Sequence, residues 1–198
     1  MWVVSPRSAR STKQRPSASS PLPSPPPPLP EQIEDPHSGQ RVVFRRNDPE
    51  ALEVDLYLRP GAFVREHVHP SQEETFVVVA GTFVLDVDGQ TRTLAAGSSD
   101  VVPPRTKHGF DPTADESHVL LTIRPALDFA GYFRDFLTLS REGRLRVPER
   151  GLPRPILLFA VLMHRYRREI AVPGFPIWLQ RPVWRVLAWL GWLFGQKL

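Results

Sequence analysis

The chain has 198 residues, a formal net charge of +4 and no cysteine. Its length suggests one ordinary domain with appended segments. Without cysteine there can be no disulfide framework, thiolate zinc site, iron–sulfur cluster or cysteine nucleophile.

The first forty residues are rich in proline and serine, and we expect residues 1–40 to form a disordered tail. Nine of the first thirty residues are proline, which donates no backbone hydrogen bond and opposes the amphipathic helix of an organellar targeting peptide. A flexible tail is therefore favoured over a targeting segment. The tail contains His37, which we do not expect to reach the folded part of the chain.

Residues 41–124 have the pattern of an all-β domain. The segment 51–58 alternates apolar and polar residues, and 75–80 and 82–87 form two further apolar runs separated by Gly81. Asp88-Gly89 is a hairpin turn signal, and three more short strands follow before Pro125. Several short strands separated by turn residues indicate a sandwich or barrel.

Two histidines flank one valine at positions 67–69, and a glutamate pair follows at 73–74. Residues two apart in a strand face the same side, so His67 and His69 point together if this segment is extended. On the next strand Glu74 can face them, while Glu73 points away. A buried carboxylate beside two imidazoles is costly unless it is paired, and a divalent metal ion would satisfy all three groups.

This pattern resembles the first motif of the cupin superfamily, G-x5-HxH-x3,4-E-x6-G, at Gly61, His67, His69, Glu74 and Gly81. The second cupin motif, G-x5-PxG-x2-H-x3-N, is matched at Gly97, Pro103 and His108. Two positions differ from it, because Arg105 replaces a glycine and Pro112 replaces an asparagine. Neither is a ligand position, so they affect the expected turn geometry rather than the site.

The spacing of apolar residues in 125–198 predicts a helical C-terminal extension. The resemblance covers about 41–124 and implies a mainly β protein with a small cupin jelly-roll barrel there. It also implies that His67, His69, Glu74 and His108 form a metal site. Imidazoles with one carboxylate suit Fe, Mn, Ni, Cu or Zn, and affinity order does not choose among them. The alternative is a barrel that keeps these residues without binding metal.

The expected inward neighbours of this site are apolar, with Arg65 as the charged exception. They are Leu56, Phe63, Phe76, Val78 and Phe110. Such a pocket favours metal-dependent oxidation of an apolar or aromatic small molecule by an oxygenase-like oxidoreductase. It equally suits a non-catalytic cupin that binds a small ligand and signals or docks through its C-terminal helices. Arg65 is a candidate substrate contact or merely an ion-pair partner, and the catalytic residues are unknown.

Two other histidines are expected outside the pocket. His118 falls one position out of register with Val119, Leu121 and Ile123, so we expect it on the outer surface if those three point inward. His164 lies in a predicted helix beyond the barrel.

Residues 125–198 carry twelve basic and five acidic residues and three predicted helical segments. The segment 182–195 is apolar on every side and must be buried somewhere; Pro182 should separate it from the preceding residues. We expect it to pack on the barrel or in a homodimer, with a peripheral membrane contact as the alternative. Interleaving of basic with apolar residues argues against a nucleic-acid partner, and we expect a cytoplasmic location.

Overall fold

The computed structural model describes residues 31–111, 113–145 and 154–198, and in these ranges ten strands precede three helices. The strands are β1 (Gln32–Asp35), β2 (Gln40–Asn47), β3 (Leu52–Leu58), β4 (Val64–Val68), β5 (Glu73–Ala80), β6 (Thr82–Val87), β7 (Gln90–Ala95), β8 (Ser99–Val102), β9 (Lys107–Asp111) and β10 (Ser117–Arg124). The helices are α1 (Phe129–Arg141), α2 (Arg154–Arg165) and α3 (Ile177–Leu193).

The strands form two antiparallel sheets that face each other. One has the order β1-β2-β3-β10-β5-β8, and the other has the order β4-β9-β6-β7. Consecutive strands such as β4 and β5 lie in different sheets, as expected when the chain winds around a barrel. The architecture confirms the predicted jelly roll with a helical C-terminal extension.

Alternation along the central strands explains why the sheets pack. Val119, Leu121 and Ile123 of β10 are at most 4% exposed, whereas the residues between them are only partly buried. Side chains of β6 alternate in the same way, and those of β3 do so except at Asp55, which is also buried. Each strand therefore contributes one apolar face to a shared core, which is the arrangement that period-two patterning predicts.

The predicted tail is wrong at its C-terminal end. Gln32–Asp35 pairs with β2 as an edge strand, and Asp35 is fully buried. The carboxylate of Asp35 accepts the backbone N–H groups of His37 and Ser38 at 3.0 and 3.2 Å, which fixes the turn into β2. Residues 1–30, the proline-rich part of the tail, lie outside the described residues.

Removal of residues 1–38 should lower the melting temperature by roughly 5 °C or more, because it deletes β1 and uncovers the edge of β2. Removal of residues 1–30 should leave the melting temperature unchanged, because that segment has no apolar periodicity with which to contribute to a core. Thermal unfolding of the two truncated proteins beside the full chain makes the comparison. Equal melting temperatures for both truncations would contradict a structural role for β1.

The third helix begins earlier than predicted, since α3 starts at Ile177 and contains Pro182. A proline within a helix lacks the N–H that would bond to the carbonyl four residues before it, here that of Trp178. Trp178 is 73% exposed, so water can bond to that carbonyl in place of the missing donor. Pro182 therefore does not end the helix as the sequence suggested.

The helical extension closes one opening of the barrel. α1 packs near β1, and α3 packs on α2 with Ala188 and Gly191 buried. A Cβ atom added at Gly191 would lie 2.9 Å from a methyl of Val161, so the two helices approach closely there. Among the helices that the structure describes, none is both long and apolar enough to cross a membrane.

Candidate functional site

The structure brings together the four side chains that the sequence singled out. His67 lies on β4, His69 directly follows that strand, Glu74 lies on β5, and His108 lies on β9. One potential ligand atom from each residue lies within 4.8 Å of the others. Residues from both sheets therefore meet at one point inside the barrel.

Strand pairing and alternation produce this convergence. His67 and His108 are direct partners in the β4–β9 register, so their side chains emerge side by side. Of the two adjacent glutamates on β5, Glu74 is buried and Glu73 is exposed, as predicted. Because the two sheets face each other, Glu74 projects across the barrel toward the histidines.

Hydrogen bonds set the orientation of the three imidazole rings. Each Nδ1 donates to a backbone carbonyl: His67 to Arg65 at 2.9 Å, His69 to Glu169 at 2.6 Å, and His108 to Thr106 at 2.9 Å. A carbonyl can only accept, so each Nδ1 carries the proton. In a neutral ring the lone pair is then on Nε2, which is the arrangement found in metal-binding histidines.

The Glu74 carboxylate lies between two of these rings. Its Oε2 is 2.8 Å from Nε2 of His108, and its Oε1 is 3.1 Å from Nε2 of His69. Burial opposes ionisation of Glu74, but the adjacent imidazoles of His69 and His108 outweigh burial and hold its pKa well below the usual range. The site therefore holds a carboxylate anion rather than a neutral acid.

The histidines respond differently to the same surroundings. Burial, reinforced by the neighbouring rings of His69 and His108, lowers the pKa of His67 to about 3. Burial also lowers the pKa of His108, but its hydrogen bond to Glu74 and the charge of that carboxylate raise it overall. His67 is thus a neutral ligand at neutral pH, whereas the raised pKa of His108 makes protonation compete more strongly with the binding of a cation there.

The donor set fits a divalent transition metal ion. Nε2 of His69 is buried and has no hydrogen-bond partner of good geometry, although Oε1 of Glu74 is near. An unpartnered buried nitrogen is costly, and a shared cation would satisfy it. Two ligands held by one ion at about 2.1 Å each are at most about 4.2 Å apart, so the present spacing needs only a small contraction.

An apolar cavity of about 640 Å³ opens onto this site. His67, Glu74 and His108 line it, together with predicted inward residues Leu56, Phe63, Phe76 and Phe110. Val78, also predicted to point inward, is buried in the core instead. Helices of the extension complete the wall with Phe129, Tyr132, Phe133, Phe136, Leu137, Phe159 and Met163.

Polar groups also line the cavity, and the position of one of them, His37, contradicts the prediction that it would lie away from the folded part of the chain. Arg65 lies on its wall and is exposed, as a substrate contact at the mouth would be. His37 lines it too, because the turn between β1 and β2 reaches the barrel opening. Sequence reasoning missed Tyr132, whose hydroxyl has no hydrogen-bond partner among the described residues and whose pKa is raised by burial and by the charge of Glu74.

The extension also supports the site directly. The carbonyl that orients His69 belongs to Glu169, just after α2. Val68 and Ala171 exchange two backbone hydrogen bonds of 3.0 and 2.8 Å, which hold this segment against β4. The sequence gives no sign of these contacts, because a backbone carbonyl has the same chemistry at every residue.

Arg105 keeps the turn that a motif glycine would form. Its φ is 67°, in the left-handed region that glycine adopts at the least cost. Its backbone N–H donates to the carbonyl of His69 at 2.8 Å, so the turn also touches the site. The other departure from the motif, Pro112, lies outside the described residues.

The remaining two histidines lie apart from the four. His118 lies on the opposite face of β10, where Nε2 bonds to Asp55 at 2.7 Å and the ring stacks on Tyr57. Burial opposes ionisation of Asp55, but hydrogen bonds from Arg45 and His118 lower its pKa overall. His164 lies in α2, with its ring against Trp192.

Comparison with known proteins places the site within a recognised domain. The family model described as "Cupin domain" matches residues 55–124, which include all four clustered residues. Protein SchB of Streptomyces halstedii is 35% identical over 69 residues, 34% of this chain and 50% of that protein. Polyketide synthase CurC of Streptomyces cyaneus is 39% identical over 59 residues, 30% of this chain and 38% of that protein. The chain thus spans half or less of the length of these curated relatives.

Solved structures resemble about half of the chain. KdgF from a Halomonas species has 25% identity and a TM-score of 0.47, over 50% of this chain and 91% of that one. An RmlC-like cupin from Shewanella frigidimarina has 32% identity and a TM-score of 0.46, over 50% of this chain and 88% of that one.

Proposed function

From the premise that this chain carries a cupin domain, we propose that it binds one divalent transition metal ion and acts on an apolar or aromatic small molecule as an oxygenase-like oxidoreductase. The observation that carries the proposal is the convergence of His67, His69, Glu74 and His108 on an apolar cavity. Fe, Mn, Ni, Cu and Zn all suit three imidazoles and one carboxylate. A metal held by four protein groups keeps coordination positions for substrate, water or dioxygen.

The residues that line the cavity, and its volume, support an apolar substrate. Its aromatic wall comes from α1, where Phe129, Phe133 and Phe136 line the cavity. A volume of about 640 Å³ lies within the ~300–1,000 Å³ range typical of small-molecule sites. His67, Glu74 and His108 are themselves in the lining, so a molecule in the cavity would touch the metal-binding groups directly.

Two polar side chains are suited to orient such a substrate. Arg65 at the mouth would pair with a carboxylate or phenolate, since its guanidinium is permanently charged. Tyr132, whose raised pKa keeps the phenol protonated at neutral pH, would donate a hydrogen bond to a substrate oxygen. A flat molecule with an anionic group at one end and an oxygen substituent near the metal would satisfy both residues.

The relatives suggest which compounds to try first. The name of CurC describes it as a polyketide synthase, and it is similar to this chain over 59 residues. Aromatic polyketides are flat, largely apolar and oxygenated, which matches the groups lining the cavity. We therefore propose aromatic polyketide-like phenols and acids as the first substrate class to test.

A second candidate function is non-catalytic binding of the same kind of ligand. The observation that favours it is that α1 and α2 form part of the cavity wall. A bound ligand would thus contact the helical extension and influence what docks there. Assembly into a homodimer and a cytoplasmic location also belong to the proposal.

Elemental analysis of the purified protein tests the metal assignment. We expect about one transition metal ion per chain, and loss of that metal on dialysis against a chelator should lower the melting temperature, because an ion that binds only the folded state stabilises it. A folded protein that contains no transition metal, and whose melting temperature does not respond to any of the five ions, would refute the assignment.

Oxygen consumption separates the enzyme from the binding protein. Metal-loaded protein incubated with aromatic polyketide-like phenols should consume dioxygen and form an oxidised product over many turnovers. Saturable binding of the same compounds, with neither oxygen uptake nor product, would support the non-catalytic alternative instead.

A further inference from the structure

The outward face of α3 is apolar. Trp178, Val186, Trp189 and Leu193 are 73, 58, 55 and 64% exposed. These four residues and Pro182 are spaced three or four positions apart, so all five lie on one side of the helix. The buried residues Gln180, Ala188 and Gly191 lie on the opposite side, against the rest of the protein. The helix therefore presents to solvent the side chains that usually form a core.

This face belongs to a wider apolar surface. Further exposed apolar side chains on α3, on the turn before it and on α2 are Ile156, Phe175, Val183, Trp192 and Phe194. Single apolar side chains on a protein surface need no explanation, but this many exposed aromatic and aliphatic side chains on one helix and the segments beside it mark an interaction site.

The exposed charges of the segment that carries this surface have one sign, although Arg165 also pairs with Asp135 of α1 at 3.8 Å. Between residues 154 and 198 every exposed charged side chain is a cation: Arg154, Arg165, Arg167, Arg168, Arg181, Arg185 and Lys197. The one acid in this range, Glu169, is buried, where its carboxylate accepts backbone N–H groups of Asp128 and Arg168. The surface is thus complementary to a partner that is apolar inside and negatively charged outside.

We propose that α3 lies in the headgroup region of an anionic lipid membrane, parallel to its surface. Its 17 residues extend about 25 Å at 1.5 Å per residue, which gives a long in-plane contact. Tryptophan side chains favour the membrane interface, and the arginines would meet anionic headgroups while their stems follow the apolar surface.

A second copy of the chain fits this face less well. In a symmetric dimer the same patch occupies both sides of the interface, so Arg181 and Arg185 would face a like-charged surface. No exposed acid in 154–198 is available to pair with them. Negative charge supplied from outside the protein resolves this, and a lipid headgroup layer supplies it together with an apolar layer beneath.

The position of α3 relates membrane docking to the cavity. Phe159 of α2 lines the cavity and its ring contacts that of Trp184 on α3. A docked α3 would therefore hold the cavity wall close to the lipid, where apolar substrates accumulate. This consequence rests on the proposed function, whereas docking itself depends only on the surface of α3.

Flotation of the full-length protein with vesicles tests the docking. We expect it to float with vesicles of phosphatidylcholine and phosphatidylserine, and far less with phosphatidylcholine alone. High salt should release only part of it, since the tryptophans stay inserted. Combined replacement of Trp178, Val186 and Trp189 by serine should lower the partition coefficient by roughly tenfold or more, while R181Q/R185Q should abolish the preference for anionic vesicles.

The matched control is V79S/V101S, which removes two exposed apolar side chains of the barrel and should float like the unaltered chain. Light scattering and thermal unfolding of each variant establish its assembly state and folding. Failure of the full-length protein to float with either kind of vesicle would overturn the proposal. A serine variant that floats normally, or one whose only change is the loss of a dimer, would also overturn it and would assign the face to another occupant.

Discussion

Replacement of both His67 and His69 by alanine is expected to leave a folded barrel that retains less than about one tenth of the metal bound by the unaltered chain. Loss of a residue that merely orients a ligand typically weakens metal binding about 10–100-fold, and this variant removes two ligands themselves. The four predicted donors would be reduced to one imidazole and one carboxylate, those of His108 and Glu74, which already bond to each other at 2.8 Å. Metal content per folded chain, measured after loading and gel filtration, is the readout.

The control is His118→Ala, which also removes an imidazole from the barrel. His118 lies on the opposite face of β10 and bonds to Asp55, so its loss should not alter the metal content. If truncation of buried His69 prevents folding, His67→Gln provides the same test at a half-buried position. A folded His67 variant, or a folded double variant, with the metal content of the unaltered chain would show that the ion binds elsewhere.

The barrel and the four clustered residues were predictable because their signals are local. Alternation in the strands shows which side chains face inward, and the spacing of His67, His69 and Glu74 is fixed by one turn between two strands. His108 lies about forty residues further along, and its place was implied by the second cupin motif. The direct register of His67 with His108 explains why that implication holds.

The parts that the sequence did not predict depend on contacts between distant segments. β1 is short and follows a proline-rich run, so only its pairing with β2 defines it as a strand. The hydrogen bond from His69 to the carbonyl of Glu169 joins residues one hundred positions apart and involves no distinctive side chain. For the same reason, the sequence predicted helices after the barrel but not the cavity wall that α1 provides.

Pro182 shows a different limit. Proline usually ends a helix because it removes one backbone hydrogen bond and introduces one steric conflict with the preceding turn. Here the carbonyl that loses its donor belongs to Trp178, which is exposed, and the rest of α3 packs on α2 through Ala188 and Gly191. Tertiary packing of this kind is invisible in a local pattern.

Replacement of Gly81 by alanine is expected to destabilise the protein by roughly 3 kcal/mol or more, because two costs combine. Gly81 joins β5 to β6 with a φ of 77°, where a side chain is strained. An added Cβ would also lie 2.2 Å from the carbonyl oxygen of Glu116. That oxygen belongs to the backbone of the turn just before β10, so relief requires a movement of the main chain rather than of a side chain.

A comparison with Gly89 separates the cost of the backbone strain from the cost of the close contact. Gly89 has nearly the same backbone conformation, with a φ of 79°, but no atom lies within 4 Å of a Cβ added there. Gly89→Ala should therefore cost only the conformational strain, about 1 kcal/mol. For a chain of this size, thermal unfolding should show a fall of roughly 2–4 °C for each kcal/mol, so the Gly81 variant should melt well below the Gly89 variant. Equal losses would mean that the close approach of Gly81 to β10 is relieved without cost. A larger fall in melting temperature for the Gly81 variant is the expected result. It would mean that the absence of a side chain at this motif glycine lets the end of β5, the strand that carries Glu74, lie close to the turn before β10.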